Sequence, residues 1–120
     1  LNTDNNDQIT LTLSDTGGVN ATDLSAVGAK SGATVTLTNG QAISGSESEL
    51  TAALVTAASK VVLGASSALT MSGTAAFDKV QALAGVTNAG NITGTVTETT
   101  AANLTGTGFN NTNIDDIIQI

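Results

Sequence analysis

Hydrophobic and polar residues alternate along this chain at two periods, and the switch between them recurs. From Thr34 to Thr38, Val35 and Leu37 alternate with threonines, the period of two expected of a half-buried strand. Asn39-Gly40 reads as a turn and Gln41 to Gly45 as a short bridge. From Leu50 the period changes, because Leu50, Ala53, Leu54, Ala57 and Ala58 fall on one face of a helix. Ser46-Glu47-Ser48-Glu49, just before it, has the spacing of a capping box, in which the serine accepts from a first-turn N–H and Glu49 reaches back. The predicted order over Val35 to Lys60 is strand, turn, bridge, helix. So small a unit cannot bury its own apolar faces, and something must stack on it.

The rest of the chain reads as variants of that unit. Gln8 to Ser14 alternates as a strand through Ile9, Leu11 and Leu13, and Asp15-Thr16-Gly17-Gly18 ends it. Asn20 sits at an N-cap position before a short helix carrying Leu24 and Val27. Val61-Val62-Leu63 and Ala68 to Met71 read as strands, and Thr74 as the cap of a helix with Ala76, Phe77, Val80, Leu83 and Ala84 facing inward. Asn91 to Glu98 is a threonine-rich strand with Ile92, Gly94 and Val96 on one face, and Thr99-Thr100 precedes a last short helix. The caps Asn20, Ser46, Thr74 and Thr100 recur with a period of about 27, which belongs to the range of stacked repeats. Residues 1–9 are echoed by 109–117, keeping Asn2/Asn110, Asn5/Asn113, Asp7/Asp115 and Ile9/Ile117. The expected class is α/β, or mainly β with short helices, as a solenoid-like stack of four units. Residues 1–108 would form one module, and 109–120 the start of a following copy or a terminal docking strand. That strand, Ile114 to Ile120, is apolar enough to expect association end to end with another copy.

Composition narrows the packing and the partners. A chain of 120 residues is one ordinary domain. Its only aromatics are Phe77 and Phe109, and Trp, Tyr, His, Cys, Arg and Pro are missing, so the core must be built in thin layers of Leu, Val, Ile and Ala. Ten acids against Lys30, Lys60 and Lys79 give a net charge of −7, which leaves no basic surface for nucleic acid. No run approaches the roughly 18 apolar residues of a membrane-spanning helix, so membrane insertion is not expected. Leu1 is not an initiator methionine, and a fragment or processed form is expected.

Candidate chemistry is sparse. Asp4, Asp7, Asp115 and Asp116 could supply hard oxygen ligands to calcium, the one candidate cofactor, or serve as solvated turn residues, since no EF-hand spacing accompanies them. Asn-x-Thr sequons begin at Asn20, Asn91, Asn103 and Asn110. Asp23, Glu47, Glu49 and Asp78 fall in first helical turns, where they complement the helix dipole. With no His, Tyr or Trp there is no base for a serine or threonine nucleophile and no platform for a sugar, so catalysis is not expected. The threonines at 34, 36, 38 and at 93, 95, 97 resemble flat ice-binding ladders if both runs share a face, and otherwise are exposed β-formers.

Val19-Asn20-Ala21-Thr22-Asp23-Leu24-Ser25-Ala26-Val27, and again Ile43-Ser44-Gly45-Ser46-Glu47-Ser48-Glu49-Leu50, resemble the tandem repeats of very large bacterial surface and secreted proteins, giant cyanobacterial repeat proteins above all. The likeness spans Val19 to Leu104 and is one of low-complexity style. It implies an extracellular structural, adhesive or surface-layer role without catalysis. The glycine–aspartate nonapeptides of calcium-binding secreted repeats are missing, as Gly17-Gly18 is followed by Val19-Asn20-Ala21. The expected function is therefore a structural module at the cell surface, with tandem or end-to-end copies of itself as partners. The alternative is a calcium- or glycan-dependent adhesin domain that binds a surface ligand.

Overall fold

The computed structural model describes residues 10–97 and the backbone of Ile117–Gln119. In chain order the elements are β1 (Leu11–Leu13), β2 (Val19–Asn20), α1 (Ala21–Lys30), β3 (Val35–Leu37), β4 (Ile43–Ser46), α2 (Glu47–Leu54), a 3₁₀ turn (Ala57–Ser59), β5 (Val61–Leu63), β6 (Ser67–Ala75), α3 (Phe77–Ala84), β7 (Ala89–Val96) and β8 (Ile117–Gln119). The class is α/β, as the alternating periods imply. Every strand pairing is parallel, in one sheet of order β1-β3-β5 and a second of order β2-β4-β6-β7-β8. Parallel neighbours need a long crossover, and the helices and the strands of the other sheet supply it.

Register sorts the side chains into columns. Leu11, Val35 and Val61 are partners, as are Leu13, Leu37 and Leu63. In the second sheet Val19, Ile43, Leu69 and Ile92 form one such column. These columns meet Leu24, Leu50, Ala53, Val80 and Leu83 of the helices in a single core, with Ile43, Leu50, Leu69 and Leu83 fully buried. Along each column the chain returns after roughly 25 residues. The helix starts do not keep the expected cap period of about 27: the N-caps are Asn20, Ser46 and Ala76, because β6, the longest strand, delays α3 beyond Thr74.

Thr74 lies inside β6, and α3 begins at Phe77 after Ala76, whose backbone has N-cap geometry without a side-chain bond. The inward face of α3 is Phe77, Val80 and Leu83, while Ala76 and Ala84 are exposed. The stretch Gln41–Gly45 is not a bridge, for it runs into β4, where Ile43 is the only large apolar residue and no alternation could show. α2 ends at Leu54, where the Val55 and Thr56 N–H groups both donate to the Thr51 carbonyl, so Ala57 and Ala58 leave the apolar face and are exposed. Ser59 is buried in their place. The capping box at Ser46 is present, with Glu49 N–H donating to Ser46 Oγ at 3.4 Å and Ser46 N–H to Glu49 Oε2 at 2.7 Å. Asn20 has N-cap backbone geometry, yet its side chain makes no capping bond.

β8 lies parallel on β7 of its own chain, with Thr93 opposite Ile117. The helix expected after Thr100, the echo between the termini and the boundary at residue 109 fall outside the described residues.

Candidate functional site

The outer side of the second sheet carries the most extended polar surface the register creates. Asn20, Ser44, Thr70 and Thr93 are partners across β2, β4, β6 and β7, and all four are exposed. Adjacent strands set such a row at intervals of about 4.8 Å. None of these four strands contains a charged residue. Beside the row, Asn20, Thr22, Ser44, Gly45, Glu49, Thr70 and Ser72 line a shallow groove of about 360 Å³.

Among the described residues Glu49 is the one ionisable group of that groove, and its carboxylate is already committed. Oε2 accepts from the Ser46 N–H at 2.7 Å and the Ser46 hydroxyl at 2.9 Å, and Oε1 accepts from the Thr22 hydroxyl at 3.1 Å. The backbone bond from Ser46, then its hydroxyl, then Thr22 hold Glu49 below its ordinary carboxylate pKa, against a small opposing effect of desolvation. Gly45 makes the approach feasible, since a Cβ there would stand 2.9 Å from that of Ala21 and 3.2 Å from Glu49 Oε2. A carboxylate so occupied is a poor proton acceptor and acts as a tie between the starts of α1 and α2. The remaining lining is neutral hydroxyl and amide, able to hydrogen-bond a ligand but not to activate a nucleophile.

A pH dependence follows. Because the folded pKa of Glu49 is depressed, its contribution to stability is present above the unfolded value near 4.5 and is lost as pH falls through the folded pKa. The melting temperatures of the wild type and Glu49→Gln should differ most at neutral pH and converge in acid. A gap that stays constant into strong acid would show that the charge of Glu49 plays no part.

The other sequence-derived sites are distributed as follows. The calcium candidates Asp4, Asp7, Asp115 and Asp116 lie outside the described residues. Among the described residues no group of three or more His, Cys, Asp or Glu side chains is placed to hold a metal. Asp23, Glu47, Glu49 and Asp78 do fall in first helical turns. The two threonine runs do not share a face, since Thr36 belongs to the first sheet and Thr93 and Thr95 to the second. In the first sheet the column of Thr12 and Thr36 ends at Val62, so the flat double ladder is not formed. Of the sequons, Asn20 and Thr22 are engaged with Ser44 and Glu49, Asn91 and Thr93 are exposed on β7, and those at Asn103 and Asn110 lie outside the described residues. Lys60 Nζ donates to the Ser31 carbonyl at 2.6 Å, a structural use of that lysine.

Two roles escape the sequence reading, that of Thr22 as a partner of Glu49 and that of asparagines as links between passes of the chain. Asn39 Nδ2 donates to the Asp15 carbonyl at 2.9 Å and Asn88 Nδ2 to that of Leu63 at 2.7 Å. Both follow a strand or helix by a few residues, the position where a turn asparagine is read as local chemistry only. No family model, curated protein or solved structure matches the chain. No helix among the described residues is long and apolar enough to cross a membrane.

Proposed function

We propose that this chain is a non-catalytic structural module of an extracellular or cell-surface assembly, built as a solenoid of stacked passes and joined to further copies of itself in tandem or end to end. The observation that supports this reading is the register: in both sheets each strand pairs in parallel with the strand about 25 residues further along the chain, and the columns Leu11/Val35/Val61, Leu13/Leu37/Leu63 and Val19/Ile43/Leu69/Ile92 stay apolar throughout. A chain that repeats one pass upon the last makes a rod whose length is set by the number of passes, and its stability comes from neighbour contacts. Such a rod suits spacing and scaffolding. The chain's lack of His, Cys and Tyr, and the occupied carboxylate of Glu49, favour scaffolding over catalysis.

Two copies fused from Ile120 to Leu1 should unfold at a higher denaturant midpoint than one, because each junction adds an interface. The melting temperature should not respond to calcium. A fused pair unfolding as two independent single copies would refute the stacking, and a rise with calcium would favour the adhesin reading by mass action.

A further inference from the structure

The carbonyl groups of Leu13, Leu37 and Leu63 stand in register at the ends of β1, β3 and β5. Leu13 accepts from the Thr38 N–H at 3.0 Å and Leu37 from the Gly64 N–H at 2.8 Å, so each is satisfied by the residue just past the next strand. Among the described residues no strand follows β5 in the first sheet. The cause is length: residues 85–88 alone connect α3 to β7, whereas residues 31–42 and 55–66, which follow α1 and α2, have room for β3 and β5. The Leu63 carbonyl nevertheless finds a donor, Asn88 Nδ2 at 2.7 Å. A side-chain amide stands where the backbone N–H of a further strand would be.

Asn88 is built into that position. Its φ of +63° is left-handed, a region asparagine enters more readily than most residues with a Cβ. Its carbonyl accepts from the Ser67 N–H at 3.0 Å, so both ends of the residue are fixed to the preceding pass. We infer that Asn88 terminates the first sheet, its amide imitating the missing strand and denying the outer edge of β5 to an incoming one.

What the guard protects is visible in the bonding. The Lys60 carbonyl accepts from Val35 and the Gly64 N–H donates to Leu37, both toward β3. Alternation then directs the peptide groups of Val61 and Leu63 to the opposite edge, where Ser59 Oγ accepts from the Val61 N–H at 3.4 Å and Asn88 covers the Leu63 carbonyl. A three-residue apolar strand with such an edge is a template for strand addition. The occupant that fits is the extended segment around β3, whose Val35 and Leu37 already pair with Val61 and Leu63 on the other side and would repeat the same columns. This guard acts within one chain and stands whether or not copies stack.

The test is capture of a fluorescent peptide with the sequence of Ser31–Gly40 by the full chain, read by anisotropy. Asn88→Gly keeps the left-handed backbone and removes the amide, and Asn88→Asp keeps the shape while removing the donor, so one reads the effect if the other fails to fold. Both should bind the peptide about tenfold more tightly than the wild type, the step equivalent to one ordinary hydrogen bond. Asn39→Gly, which removes a link to Asp15 beside strands that are already paired, should behave as the wild type. Capture by the folded Asn88 variants no stronger than by the wild type would overturn the inference. Equal capture by Asn39→Gly would overturn it too, by showing general loosening.

Discussion

Gly28→Ala is expected to destabilise the chain by about 3 kcal/mol or more, although alanine is the better helix former by about 1 kcal/mol. Gly28 is buried in α1, and a Cβ there would overlap the Ser59 carbonyl oxygen, with the Ser59 carbonyl carbon at 2.9 Å and Val61 Cγ2 at 3.2 Å. The obstacle is backbone, and it cannot step aside. Ser59 belongs to the 3₁₀ turn, its N–H donates to the Thr56 carbonyl at 2.9 Å, and Lys60 beyond it is held left-handed with φ +56°. Relief therefore requires α1 and the turn to separate, which opens the core between them. Gly17→Ala is the matched control, since a Cβ at Gly17 meets no atom within 4 Å. Chemical denaturation should give a much lower midpoint for the first variant and little change for the second. A rise in stability at Gly28 would mean that α1 does not rest on the turn as described.

Leu50→Ala should cost about 2–5 kcal/mol, as expected when a buried leucine is truncated in a core that cannot collapse around the gap. Leu50 is completely buried in α2, in the same core as Ala53 and the columns of the two sheets. Leu54, at 9% exposure, lies at the margin of that core, so Leu54→Ala should cost less. Ser46→Ala, which removes the capping oxygen, should cost about 1 kcal/mol and rank below both. Midpoints in the order Leu50, Leu54, Ser46 from most to least affected, with unchanged denaturant slopes, would support this. If the capping change proves the most damaging, the apolar face of α2 is misassigned.

These rankings show where the sequence is informative. The capping box at Ser46 and the alternation at Val35 and Leu37 are local, complete within a few residues, and both are found in the structure. The second sheet is harder to see. β4 offers Ile43 followed by serines and a glycine, and β2 only Val19 and Asn20, so neither has a period of its own. They are strands because each finds a partner one full pass away. The start of α3 escapes for a related reason, as Thr74 is a good cap in isolation but lies on β6 beside Thr95. At the candidate groove, Glu49 is legible as half of a capping box, whereas its bond to Thr22 joins separate passes of the chain and has no local signature.

The near-constant separation of strand partners also bears on how fast such a chain can fold. Every pairing in either sheet closes a loop of one pass, at the last rung as at the first. Closing a loop has an entropic cost that grows only slowly with its length, and here that length does not grow at all as the chain extends. Mean contact separation divided by chain length must then fall with each added pass. Parallel sheets are ordinarily slow to form because their partners are remote, with rate tied to that ratio. A longer chain built by the proposed stacking would escape the penalty: each rung would present the same search to the next, and elongation would proceed at the pace of one short closure whatever the final length.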